Sequence, residues 1–247
     1  MKHLRFNRAI VAIAMMLIGW LPSLAHDFEV NGIYYNKTGN STVEVTYNGR
    51  NTEESYNDYI GDVVIPSSVN YNGINYDVTR IGRYAFNSCT SLTSIEIPNS
   101  VTSIEEGAFY KCTSLTSIEI PNSVTGIGMW AFLGCSKLTS IQIPNSVRGI
   151  GDEAFAYCDG LTNVIWNAIK CSDFKNYVDG PFYDCSNITS FTFGDKVEYI
   201  PARLCICMNK LTSIEIPNSV TSIGDEAFYD CYRLKTVVFY CPSVSLG

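Results

Sequence analysis

Four copies of Ala-Phe, with their rings at Phe86, Phe109, Phe132 and Phe155, stand 23 residues apart. A fixed period in this range is the signature of a solenoid, in which each unit touches only its two neighbours. One full unit runs Leu92-Thr93-Ser94-Ile95-Glu96-Ile97-Pro98-Asn99-Ser100-Val101-Thr102-Ser103-Ile104, then Glu105-Glu106-Gly107-Ala108-Phe109-Tyr110-Lys111-Cys112. Further copies begin at Leu115, Leu138, Leu161, Ile188, Leu211 and Leu234. From Phe155 to Phe182 the step is 27, so about four residues are inserted within 167–180. The frame then resumes, with Cys205 at the Phe position and Met208 at the Cys position.

Within a unit, Ile95 and Ile97 flank an outward Glu96, the alternation of a half-buried strand. Pro98 ends that strand, because proline has no N–H to give a ladder. Val101, Ile104, Ala108 and Phe109 complete the inward set along a return segment that reads as a short 3₁₀ or irregular arc. A single coil is unstable: about seven apolar side chains at ~1.5–3 kcal/mol each do not offset ~1–2 kcal/mol of backbone entropy per residue. Stacking supplies the missing burial. The expected architecture is one parallel β-sheet on the concave face, its strands about 4.8 Å apart, with short return arcs.

The motif Leu-x-x-Ile-x-Ile-Pro-x-x-Val-x-x-Ile-x-x-x-Ala-Phe-x-x-Cys resembles the BspA-like subclass of bacterial leucine-rich repeats. The resemblance covers about residues 60 to 240. It implies a curved leucine-rich repeat solenoid in a surface or secreted protein, and a role in adhesion to host proteins or other cells.

The ends read differently. Lys2, Arg5 and Arg8, the apolar run 9–18, Pro22 and the exit Ser23-Leu24-Ala25 form the pattern of a secretory signal peptide, residues 1–25. The apolar run falls short of the ~18 residues of a spanning helix and Pro22 closes it; no second apolar stretch appears, so no transmembrane segment is expected after its removal. Residues 26–80 read as an N-terminal β cap leading into the first coil, covering its apolar edge. Within it, 28–36 and 41–47 form a hairpin about Gly39-Asn40, and Asn72-Gly73 carries a second tight turn. Repeats occupy 81–240. For the tail, 241–247, two readings stand: it folds over the last coil, or the array belongs to a longer family member.

Charge and composition narrow the function. Cleavage after Ala25 removes three basic and no acidic residues, leaving 14 basic against 24 acidic side chains. Such a balance argues against nucleic acid as a partner. The two histidines are His3, in the signal segment, and His26 beside it, so neither a Ser-His-Asp site nor a His-based zinc centre can be assembled. No catalytic, cofactor or metal site is expected. Glu96 and Glu119 would stand as close as a glycosidase pair, but a repeated Glu in an open row reads as a solvated ladder.

Cys89, Cys112, Cys135, Cys158, Cys185 and Cys231 share one repeat position and form a column. Parallel side chains are poorly aimed for disulfides, so buried free thiols are expected, with bridges between some neighbours as the alternative. Cys171, in the insertion, and Cys241, in the tail, are the candidates for a reactive or bridged thiol.

Outward strand positions should line the concave face that a solenoid offers to a partner. They are Ser94, Glu96, Ser117, Glu119, Ser140, Gln142, Asn163, Ile165, Thr192 and Glu215, to which the insertion loop adds Phe174 and Tyr177. The reading is an exported, non-catalytic module that recognises an extracellular protein or glycan. A structural spacer or secreted inhibitor is the alternative. An apolar or aromatic patch on the sheet would favour binding, and a uniform Ser/Glu cover would favour the spacer.

Overall fold

The computed structural model describes residues 26–48, 59–174 and 180–247. The signal-peptide reading and Tyr177 lie outside them. The described residues form a parallel β-solenoid of about seven turns, without helix. The inward positions read from the period stack into one continuous core, with Phe86, Phe109, Phe132 and Phe155 wholly buried. Their rings, with Phe182, stack face to face at 5.0–5.3 Å between successive coils, a spacing at which aromatic pairs attract beyond simple area burial.

The N-terminal region is a small sheet of its own making. Phe28–Val30 turns at Asn31-Gly32 into Ile33–Lys37, which pairs antiparallel with Thr42–Thr46. The single strand read from 28–36 is therefore two. Asn31 and Gly32 both have positive φ, 53° and 80°, as a type I′ turn requires. Asn72 and Gly73 repeat that geometry between Ser68–Tyr71 and Ile74–Ile81. Thr42–Thr46 then pairs parallel with Ile74–Ile81, joining this sheet to the first coil.

After a short turn each return arc has a two-residue strand, Ser103–Ile104, Gly126–Ile127 or Gly149–Ile150, and then a run of turns. These short strands extend Ile74–Ile81 into a second parallel ladder. A further segment of the same kind joins Tyr199–Ile200, Ser222–Ile223 and Ser245–Leu246. The tail thus continues a ladder instead of folding over the last strand.

The Ala-Phe corner is a third seam. The N–H groups of Tyr84, Phe86 and Ser88 donate to the carbonyls of Glu106, Ala108 and Tyr110 one coil on, at 2.7–3.0 Å. Gly107, Phe109 and Lys111 do the same to Met129, Ala131 and Leu133. To aim alternate N–H groups outward, two residues per coil adopt the left-handed region, among them Tyr84 and Ser88, Trp130, Glu153 and Tyr157, and Arg203 and Cys207. Each costs a non-glycine residue roughly 1–2 kcal/mol, which the bonds between coils offset. Close approach at the next corner demands glycine: a Cβ on Gly128 would collide with the backbone of Glu105 and Glu106.

The concave strands do not pair uniformly. Ser140–Ile143, Asn163–Trp166 and Ser190–Phe193 form one in-register ladder, Ser213–Ile216 and Thr236–Phe239 another, and Gly61–Val64 with Leu92–Glu96 a third, of irregular register. Residues 115–120 join no ladder. The openings follow the residue after each strand, except at Pro98, whose strand still pairs with Gly61–Val64 in irregular register. Where that residue is Asn167, Gly194 or Tyr240, its N–H donates to Ile143, Trp166 or Ile216 of the preceding coil at 2.9 Å. Pro121, Pro144 and Pro217 have no N–H to give, and the ladder opens before each of their coils. Before Pro121 and Pro144 only long bonds survive, Thr116 to Thr93 and Thr139 to Thr116, both 3.4 Å.

Candidate binding face and groove

The outward strand positions fall on the concave face as their alternation requires. Glu96, Ser117, Glu119, Ser140, Gln142, Thr192 and Glu215 are exposed, and Ser94, Asn163 and Ile165 are half-buried. Phe174 is a correction: it is 1% exposed and belongs to the core. Phe174 turns inward because Asp173 beside it accepts hydrogen bonds from the Tyr199 hydroxyl and, at 2.8 Å, from the Ala202 N–H. Arg203 fixes the turn further by donating to the Phe174 carbonyl at 3.2 Å. Desolvation and the bond to Asp173 raise the Tyr199 phenol to about 12, so it stays a donor.

The same inward fold corrects the reading of Cys171. It is 4% exposed, and burial raises its thiol to about 11, which removes it as a reactive group at neutral pH. Among the described residues no cysteine forms a disulfide. The column instead ties coil to coil: Cys112, Cys135, Cys158 and Cys185 donate S–H to the carbonyls of Phe86, Phe109, Phe132 and Phe155, at 3.0–3.3 Å. Burial raises the Cys135 thiol to about 12 and pushes the Cys112 and Cys205 thiols well up; hydrogen bonding to Cys185, then burial, does so for Cys158.

Other repeated polar residues are also structural. Ser123, Ser146 and Ser219 donate to Val101, Val124 and Val197 of the coil before, at 2.6–2.7 Å. Sequence reasoning passed over these ladders, although a Ser recurring after Pro-Asn was their visible signal.

Between Ser190–Phe193 and Ser213–Ile216 the concave sheet is fully split, without even the threonine bond. Two causes add. Pro217 lacks a donor, and the inward positions carry Trp166, Phe191 and Phe193 where all other coils but the last, with Phe239, have Val or Ile. Phe191 lies 5.2 Å from Phe193 and 5.9 Å from Phe182, centroid to centroid. The split opens a groove of about 400 Å³ walled by Ser190, Thr192, Asp195, Ser213, Glu215 and Tyr240. A second groove, about 220 Å³, contains Asn122, Gln142, Asn145, Asn167 and Lys196 and shares Asp195 with the first. Thr192, Glu215 and Gln142 were legible as outward positions; Asp195 and Tyr240 were missed because they lie beyond the strand ends.

The face therefore has two characters. Coils ending at Pro98 and Pro121 present Ser94, Glu96, Ser117 and Glu119. Later coils present Ile165, Val238 and Tyr240, the last two 36% and 59% exposed.

Stacked coils with inward Leu, Ile and Phe columns and one strand each define a leucine-rich repeat protein. The chain belongs to the BspA type leucine rich repeat family, whose profile matches residues 60–178 and 167–245 in 6 copies. A leucine-rich repeat protein from Bacteroides ovatus is 32% identical over 86% of this chain and 53% of its own, with a TM-score of 0.60. A leucine rich cell surface protein from Faecalibacterium prausnitzii is 32% identical over 87% and 55%, with a TM-score of 0.65. The chain thus spans about half the length of these two. A leucine rich repeat protein of T. pallidum, 24% identical over 89% and 85%, shares the fold with a TM-score of 0.54. No curated protein matches the chain. Among the described residues no helix is long and apolar enough to cross a membrane.

Proposed function

We propose that this chain is an exported, non-catalytic binding module, which uses the concave face to hold an extracellular protein or glycan at the bacterial surface. The observation that carries the reading is the departure of that face from a uniform Ser/Glu cover. A half-buried Ile165, an exposed Tyr240 and a split sheet stand where copied repeats would give only solvated side chains. Membership of the family and likeness to a cell surface protein support the location. The signal-peptide pattern of residues 1–25 supports export.

The test is a broad array of matrix proteins, cell-surface proteins and glycans, probed with the folded chain. At least one saturable interaction is expected, abolished by crowding the concave face through Gln142→Arg with Thr192→Arg. A clean negative from folded protein would leave the spacer reading in its place.

A further inference from the structure

The two grooves that meet at Asp195 have a lining more specific than a general docking face. Their polar side chains are hydroxyls (Ser190, Thr192), amides (Asn122, Gln142) and carboxylates (Asp195, Glu215), over an apolar floor of Phe191, Phe193, Ile214 and Pro217 in the larger groove. One aromatic ring, Tyr240, stands exposed at one end. Among the described residues lining the grooves, Lys196 is the single cation.

Each of these groups has a reason to be there for the same ligand. Amides donate and accept at once, and carboxylates accept two bonds side by side, so both match neighbouring hydroxyls on a ring. A tyrosine ring offers a flat apolar surface with a polar rim, on which the C–H face of a sugar can lie. An anionic ligand would meet Asp195 and Glu215. An apolar peptide would find few open apolar pockets, because Phe191, Phe193 and Ile214 are themselves buried. The larger groove lies within the ~300–1,000 Å³ typical of small-molecule sites, and its continuation past Asp195 crosses several coils.

We propose that this split in the concave sheet is a saccharide subsite, which binds an uncharged oligosaccharide lengthwise from Tyr240 through Asp195 toward Asn145. The inference rests on the binding-module reading and narrows it to one ligand class and one part of the face. Tyr240 stacks on a sugar ring, Glu215 and Asp195 accept from its hydroxyls, and the amides continue the contact along the chain.

The experiment is calorimetric titration of the chain with a panel of neutral oligosaccharides of defined linkage, repeated on Tyr240→Ala, Asp195→Ala and Glu215→Ala. Glu29→Gln in the N-terminal sheet and Lys111→Arg at the Ala-Phe corner, both exposed and outside the grooves, serve as controls. The expected result is saturable binding of at least one oligosaccharide, weakened tenfold or more by each groove variant and unchanged in the controls. Melting curves of the variants should match the parent, since none of the three side chains is part of the buried core. Saccharide binding that the groove variants leave intact overturns the subsite but keeps the module reading. Binding of a protein or a basic peptide, with no saccharide bound, overturns the ligand class alone. No binding of any partner overturns both.

Discussion

The coils that end at Pro121 and Pro144 and those that end at Asn167 and Gly194 share one inward pattern of apolar side chains, yet only the second pair joins the coil before it in a regular concave ladder. The difference is one N–H per coil. Asn167 and Gly194 give theirs to the coil before, and the prolines cannot. What holds the proline coils together is on the other side of the core. The Ala-Phe seam, the stacked rings of Phe109 and Phe132 and the thiol bonds run through them unbroken. A solenoid can therefore lose its sheet locally without losing its stack, and the places where the sheet is lost are free to become surface features.

The largest expected effect tests that shared seam. Cys135 ionises near 9.0 when unfolded and is raised to about 12 in the fold, and burial pushes Cys112 and Cys205 in the same direction. A group that keeps its proton longer when folded stabilises fully below the unfolded value. Its contribution is lost as pH climbs toward the folded one. Stability should thus be level below about pH 9 and fall above it by about 1.4 kcal/mol per pH unit for each such thiol. Pulsed alkylation with peptide mapping should label Cys112 and Cys135 before Cys158 and Cys185, because the former pair flanks residues 115–120, which join no concave ladder. Earlier labelling of Cys158 would mean that the ladder contributes little.

Converting one kind of coil into the other is the more direct break. Asn167→Pro removes the N–H that bonds Ile143 and leaves that carbonyl without its partner, at a cost of about 1–3 kcal/mol. Urea unfolding should show the loss, and hydrogen exchange should place it in 140–166 and spare the corner seam. An unchanged midpoint would mean that the proline position does not decide where the sheet opens.

The period, the buried columns and the outward positions were legible from the sequence because each is a local rule repeated many times. Ile95, Phe109, Cys112 and Ile141 are where the repeat puts them. Pro98 and its copies were legible as strand ends, but their effect on the neighbouring coil needs the partner strand, since the missing donor matters only where an acceptor waits. Phe174 and Cys171 were misread for a related reason. Their burial follows from bonds that Asp173 and Phe174 make to Ala202 and Arg203, 29 residues on in sequence, and no repeat template covers an insertion. The groove was invisible for the same cause, since Asp195 and Tyr240 come from different coils and share a wall only once the sheet between them has opened.

Pro217→Asn sharpens the comparison in the opposite direction and has the smallest expected effect on stability. It returns an N–H opposite the Phe193 carbonyl, worth about 0.5–1.5 kcal/mol if the bond forms. It also gives back the freedom that proline denies the unfolded chain, which costs about 0.4–1 kcal/mol. The two nearly cancel, so the melting temperature should barely move while the shape of the face changes. Phe191 and Phe193 resist full closure, and this separates the two causes of the split. If the missing donor dominates, exchange protection should appear at Glu215 and the groove should narrow, weakening any saccharide bound there. If the aromatic wedge dominates, protection and binding should both stay as they are, and only Phe193→Ile combined with Pro217→Asn should close the sheet.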